Sequence, residues 1–417
     1  MEITINQAKI SGEIRAIESK SFAHRALICA AFSDRPTEII CAELSEDILA
    51  TADVLTALGA KITIDTGKLW VEPVGEIPKK AILNCRESGS TYRFILPCVC
   101  IKGASARFKL EGRLPQRPMD VFWDLVESHG VTVRGKGRDI VCVSGELSGD
   151  KLAIPGNISS QYISGLIMAL GMSGKYGEIE ITNGIESLGY INITLDVVNK
   201  FGIRAEFAGN KIKVYGEKRY KSPRTIKIEG DWSNASFWLC TAAACGCDFT
   251  VNDINTSSVQ GDRAVCSLLE KFGATLEYGD DFVKVKKREG RLEAINIDAH
   301  NIPDLIPAIA LAAIAAKGET VIYGARRLRL KESDRIKSIT EAITALGGKA
   351  VANDDGMVIT GAPLSGGVVD SFGDHRIAML AACASTMCEN PVTIKGFEAV
   401  KKSYPDFYKD FQKVTER

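Results

Sequence analysis

A chain of 417 residues is longer than one hydrophobic core usually grows, so two domains are expected. Hydrophobic residues make up 45% and charged residues 25%, the balance of an ordinary soluble globular protein. Lysine plus arginine equals aspartate plus glutamate at 52 each, so no global field gathers polyanions and a nucleic-acid partner is not expected.

The opening stretch MEITINQAKISGEI alternates as a strand does and lacks the apolar core of a signal peptide. Next comes ESKSFAHRALICAAF, Glu18 to Phe32. Its second half is apolar or small throughout and predicts a helix buried on most sides, yet its entrance carries Lys20, Ser21 and Arg25. The same pattern, a polar entrance followed by a small-and-apolar run, returns at Ser90, Ser160, Asn234, Asp304 and His375, with separations of 69, 70, 74, 70 and 71 residues. A second series runs in step with it. Amphipathic helices end at Gly59, Gly130, Gly202, Gly273 and Gly347, each glycine followed by strand-like alternation, as expected of a left-handed cap after a helix. Two series in register predict six copies of one unit, three per domain, each with a buried helix, a solvent-facing helix and several strands. Pro307 falls in a first helical turn, where a missing N–H costs little, whereas Pro97 lies deeper and is expected to kink its helix. The most apolar segment, Leu305 to Ala316, is too short to span a bilayer, so no membrane association is expected.

Twelve cysteines and four histidines show neither CxxC spacing nor zinc-finger spacing. They are expected to be reduced, mostly buried thiols in a cytoplasmic protein.

Cations at a helix start oppose the helix dipole, so Lys20, Arg25, Arg93 and Arg376 call for a partner. An anion supplies one, and a helix entrance lined with cations becomes a phosphate or carboxylate site. In RLRLKESDRIKS, Lys331 and Arg335 are four apart and would share one face of a helix, with Glu332 pointing elsewhere; Lys401 and Lys402 precede Ser403, expected to cap the final helix.

Lys20-Ser21 with Arg25, Glu87-Ser88-Gly89-Ser90 with Arg93, Arg117-Pro118, Ser159-Ser160-Gln161, Lys331-Glu332-Ser333-Asp334-Arg335 and Asp374-His375-Arg376 together resemble, in order and along nearly the whole chain, the 5-enolpyruvylshikimate-3-phosphate synthase family. The resemblance implies an α/β fold, a two-domain inside-out α/β barrel of six βαβαββ units. One domain would cover 19–229 and the other 1–18 with 230–417, with the active site in the cleft between them. It implies transfer of the enolpyruvyl group of phosphoenolpyruvate to the 5-hydroxyl of shikimate 3-phosphate, releasing phosphate, in a monomer that needs no cofactor or metal.

By the same resemblance, Lys20, Ser21, Arg25, Ser159, Ser160, Gln161, Ser187, Tyr190, Asp304 and Lys331 would bind shikimate 3-phosphate. Lys20, Gly89, Arg117, Gln161, Arg335, Arg376 and Lys402 would bind phosphoenolpyruvate. Asp304 would act as base on the hydroxyl, Glu332 would carry the proton to and from the methylene carbon, and Lys20 would stabilise the departing phosphate. Each substrate carries a carboxylate and a phosphate group, so the pair brings roughly five to six negative charges. Arg327 and Glu87 stand where some family members have Asn.

Two other readings compete. The related transferase acting on UDP-N-acetylglucosamine usually has a cysteine in the loop before its Arg-Pro, and Glu111 to Asp120 has none. A non-catalytic, closing binding protein for phosphorylated metabolites would share the cations but would not need Asp304 and Glu332. RNA 3′-phosphate cyclases use related units, but this chain has no basic face.

Overall fold

The computed structural model describes residues 1–416. The chain forms two compact units, Glu18–Ile228 and Met1–Ile17 together with Glu229 onward. Each has its own core. The first gathers around Leu27, Leu96 and Tyr162. The second gathers around Trp238, Leu311 and Met379.

In the unit 18–228, three helices lie in the core: Lys20–Ala31, Gly89–Ile101 and Ser160–Gly171. Their apolar residues run all round the helix rather than along a stripe, and such a helix is stable only when surrounded. The sheets follow one order. Lys80–Asn84 runs parallel to Ser105–Lys109, with the Gly89 helix as the crossover; Ile140–Ser144 then adds antiparallel, and Thr132–Arg134 forms the edge. Lys151–Gly156, Tyr176–Ile185, Lys211–Tyr215 and Arg204–Ala208 repeat this order around the Ser160 helix. Burial alternates along Lys80–Asn84, placing Ala81 and Leu83 on the core face. In the third sheet, Thr37–Ile40 takes its parallel neighbour from Thr225–Lys227, almost two hundred residues away.

The other unit uses the same order. Asn296–Asp298, Glu319–Tyr323, Met357–Thr360 and Lys349–Ala352 form one sheet. In a second, Gly12–Arg15 pairs parallel with Phe249–Asn252, followed by Phe282–Val285 and Leu276–Tyr278. A three-stranded sheet joins Gly367–Asp370, Val392–Lys395 and Glu2–Ile5. The buried helices here are Trp232–Cys245, Ile306–Ala315 and His375–Ala384. The architecture is mixed α/β.

The five glycines after helices have φ of +103° at Gly59, +95° at Gly130, +76° at Gly202, +92° at Gly273 and +85° at Gly347, the left-handed turns their spacing predicts. Nine of the twelve cysteines are buried, Cys142 and Cys247 are half-buried and Cys245 is exposed. Among the described residues no helix is long and apolar enough to cross a membrane.

Helix starts differ from the sequence reading by one to three residues. The cap positions are Ser19, Ser88, Ser159, Asp231, Leu305 and Asp374, so Ser21, Ser90, Asn234 and His375 lie inside first turns and Asp304 lies just before its helix. Ser403 does not cap the last helix; Asp406 stands at that position before Phe407–Val414. At Ser88, Ser159, Asp231 and Asp374 the cap residue is in extended backbone and its side-chain oxygen accepts an N–H of the first turn, whereas Ser19 and Leu305 make no side-chain cap.

Pro97 sits inside an uninterrupted helix. Lacking an N–H, it leaves the Arg93 carbonyl, four residues back, without its helical donor. Gly165 of the neighbouring helix packs against that carbonyl so closely that an added Cβ would stand 2.4 Å from the Arg93 oxygen and 3.0 Å from Pro97 Cγ. The glycine lets the neighbouring helix pack closely against the turn that holds the proline. Gly165→Ala is therefore expected to destabilise the protein by about 1–3 kcal/mol, read as a lower urea midpoint with unchanged slope.

Candidate functional site

In the unit 18–228 the first array is built on helix starts. Lys20 opens its helix and its Nζ lies 2.8 Å from Asp47 Oδ2. Arg25, one turn on, is 1% exposed. Its Nε donates to Thr194 Oγ1 at 2.7 Å, Nη1 to the Ser21 carbonyl at 2.7 Å, and Nη2 to Ser164 Oγ at 3.2 Å and the Tyr190 carbonyl at 3.1 Å. The guanidinium also lies over the Phe94 ring at 4.7 Å. Burial pulls its pKa down to about 9, which still leaves a cation at neutral pH. Four of its five N–H donors thus end on protein, and Arg25 ties the Tyr190 segment to the Lys20 helix.

Gly89 and Gln161 form the second part. A Cβ on Gly89 would stand 2.9 Å from Arg117 Nη1 and 3.3 Å from Arg93 Nη1, so glycine lets two guanidinium groups close over the helix start. Arg93 Nη1 donates to Gln161 Oε1 at 2.7 Å, while Gln161 Nε2 donates to Ser90 Oγ at 3.0 Å. Ser159 caps the next helix by accepting from the Gln161 N–H at 3.3 Å, and Ser160 is buried beside it. Ser187 holds φ +57° in a buried position ahead of the helix Leu188–Lys200. A left-handed non-glycine residue costs about 1–3 kcal/mol and persists where its surroundings demand it. Glu87 is exposed and its carboxyl lies over Gly112, where an added Cβ would come within 2.6 Å of Oε2.

The other unit holds the second array. Asp304 accepts from Arg335 Nη1 at 2.5 Å and from Lys331 Nζ at 3.3 Å; its backbone oxygen accepts from Arg376 Nη1 at 2.8 Å. Arg335 also donates from Nε to Asp374 Oδ2 and from Nη2 to Glu332 Oε2, both at 2.8 Å. Lys402 Nζ donates to the Gly373 carbonyl at 3.0 Å. Five of the six residues expected from this half thus meet around Asp304 and Arg335, and Lys402 reaches the Gly373 carbonyl next to Asp374.

Lys331 and Arg335 do not share a helix, as their spacing suggested. Lys331 ends the 3-10 turn Arg326–Leu330, which includes Arg327, and Arg335 opens Arg335–Ala345. The break lets both reach Asp304 and turns Glu332 back onto Arg335, because Asp334 caps the new helix.

Burial works against the charge of Arg335, but Asp374, Glu332 and Asp304 outweigh it and push its pKa above the ordinary value. Burial would also raise Asp374, yet Arg335 and then His375 hold it below the usual carboxylate range. Burial lowers Lys331 to about 8, with Asp304 opposing and Arg335 assisting. Two groups escaped the sequence reading, Asp47 and Asp262, and Asp374 was read only as part of a motif, without a role. Asp262 accepts from Ser233 and is pushed up to about 6, first by burial and then by Asp304. Among these, the Asp-His-Arg triplet was the visible signal for Asp374. Nothing in the sequence marked Asp47 or Asp262.

Comparison with known proteins defines the class. A solved structure of EPSP synthase from Acinetobacter baumannii matches over 100% of both chains with a TM-score of 0.82 at 23% identity, and a second covers 99% of this chain and 98% of its own with the same score. That likeness shows the fold. The profile described as EPSP synthase (3-phosphoshikimate 1-carboxyvinyltransferase) matches residues 5–411. The 3-phosphoshikimate 1-carboxyvinyltransferase of Clostridium kluyveri is 36% identical over 99% of this chain and 97% of its own, and that of Clostridium perfringens 38% identical over 99% and 98%. The chain belongs to the EPSP synthase family.

Asp374 is the most buried of the three carboxylates that hold Arg335. Asp374→Asn removes a charge-assisted pair but leaves Asp304 and Glu332, and should cost about 1.5–3 kcal/mol of unfolding free energy, measured by urea denaturation at neutral pH.

Proposed function

We propose that the two arrays serve a single reaction, the transfer of the enolpyruvyl group of phosphoenolpyruvate to the 5-hydroxyl of shikimate 3-phosphate with release of phosphate. The family match over residues 5–411 supplies the reaction. One observation carries the assignment of roles: Asp304 lies against Lys331 and Arg335, with Glu332 on the same guanidinium. A carboxylate so placed can take the hydroxyl proton as the oxygen attacks. Glu332 delivers a proton to the methylene carbon and later removes one, while Lys20, steadied by Asp47, meets the leaving phosphate.

Gly89, Arg117, Gln161, Arg335, Arg376 and Lys402 bind phosphoenolpyruvate in this reading. Ser21, Ser159, Ser160, Gln161, Ser187, Tyr190 and Lys331 bind shikimate 3-phosphate, with Lys20 touching both. Arg25 contributes mainly by fixing the Ser21 and Tyr190 carbonyls. The recurring sheet order supports the six-unit barrel, three units in each half. Neither the UDP-sugar transferase nor a non-catalytic binder is favoured, because full-length relatives carry the name of the shikimate enzyme.

The decisive assay couples phosphate release to both substrates. Asp304→Ala should retain shikimate 3-phosphate binding by calorimetry and lose turnover by about 10²–10⁴-fold; wild-type protein that binds both ligands without releasing phosphate would refute the reading. Lys331 offers a second check. Its folded value of about 8 lies below that of a free lysine, and a bound phosphate dianion must raise it. Binding near pH 9 should therefore take up a proton, seen as a dependence of calorimetric heat on buffer ionisation enthalpy, and Lys331→Gln should abolish the uptake.

A further inference from the structure

Four buried side chains link separate parts of the first array. His24 stands one turn after Lys20, Thr51 one turn after Asp47, and Ser88 and Thr91 form the cap of the Gly89 helix. His24 Nδ1 lies 2.7 Å from Thr51 Oγ1, Thr51 Oγ1 lies 2.7 Å from Thr91 Oγ1, and Thr91 Oγ1 donates to Ser88 Oγ at 2.7 Å. The Asp47 carbonyl lies within 3.4 Å of the first hydroxyl and 3.5 Å of the second. His24 and Ser88 are 1% exposed, and Thr51 and Thr91 are 0% exposed.

The chain has a direction. Ser88 Oγ already accepts the Thr91 N–H, and Thr91 O–H points to the same oxygen. Thr91 Oγ1 is then left to accept from Thr51, and Thr51 to accept from His24 Nδ1–H. That order leaves His24 Nε2 as a bare lone pair, and among the described residues Nε2 has no partner. The reverse order would strand a buried N–H there, which is the costlier defect. The imidazole is neutral: burial lowers its pKa well below the usual value, and the cations Lys20 and Arg25 lower it further. Apolar side chains would fill the same space without any such requirement, so what the hydroxyls add is a set geometry between three helix starts.

We infer that the His24–Thr51–Thr91–Ser88 chain is a positioning device that holds the Lys20–Asp47 pair in register with the Gly89 helix start and thereby sets the affinity for phosphoenolpyruvate. The inference rests on the reaction proposed above. None of the four residues touches substrate in this account; they act through Lys20 and Gly89.

Thr51→Val keeps the shape and removes the link, while Thr51→Ser keeps the link. Steady-state kinetics of the full chain should show the Val variant raising KM for phosphoenolpyruvate by roughly five- to thirtyfold. KM for shikimate 3-phosphate should stay within about twofold, with the Ser variant close to wild type on both. Unchanged constants in the Val variant, or an equal rise in both, would overturn the inference. Should Thr51→Val fail to fold, 15N-histidine spectra of the wild-type protein decide, since only four histidines need assignment. His24 should carry its proton on Nδ1 and keep a bare Nε2 from about pH 8 to about pH 5; a His24 that titrates there, or is protonated on Nε2, would sink the chain. A wild-type protein without enolpyruvyl transfer would fail the reaction instead, and the spectra would still test the chain.

Discussion

A guanidinium only 1% exposed needs partners to replace its lost hydration, and Arg335 is held by three carboxylates from three segments, Asp304, Glu332 and Asp374. That requirement organises its whole unit. Asp374 must cap one buried helix, Asp304 must precede another, and the chain must break between Lys331 and Arg335 so that Glu332 can fold back. Two of these carboxylates, Asp304 and Glu332, are the ones proposed to move protons.

The unit 18–228 meets the same difficulty with other partners. Lys20 is compensated by Asp47, Arg93 by the Gln161 amide and the Tyr162 ring, and Arg25 by carbonyls, hydroxyls and Phe94. Counting cations along the sequence suggests a large positive excess awaiting two anionic substrates. The structure shows those cations already engaged. Around Asp304, three carboxylates face three cations, Lys331, Arg335 and Arg376. In the proposed reaction, anionic ligands would exchange partners with these groups rather than fill an empty positive hole, and Lys331, with a pKa lowered to about 8, would respond to such an exchange.

Much of the fold was legible because its signals are local. All-round apolar runs marked the core helices, and the glycines after helices needed left-handed backbone whatever lay nearby. Helix starts were read one to three residues late or early because neighbouring Ser, Asp and Asn residues compete for the cap, and backbone conformation alone chooses between them. The strand exchange, with Thr225–Lys227 beside Thr37–Ile40 and Gly12–Arg15 beside Phe249–Asn252, could not be read from either strand's own residues. Of the candidate site, the cations and the carboxylates Asp304 and Glu332 were visible, whereas Asp47 and Asp262 were not. Asp47 looks like an ordinary acidic residue in a first helical turn, and Asp262 like a surface carboxylate.

By itself the sequence determined the helical and strand periods, the recurring unit length and the motifs that identify the family, because each depends on residues close together in the chain. Only the tertiary structure decided which carboxylate holds which cation, that Gly165 packs beside Pro97, and that His24 faces a line of hydroxyls. Such pairings join distant segments, just as Arg25 and Thr194 are 169 residues apart. A bond across such a gap exists only once packing brings both ends into a space without water, where each polar group must find a partner.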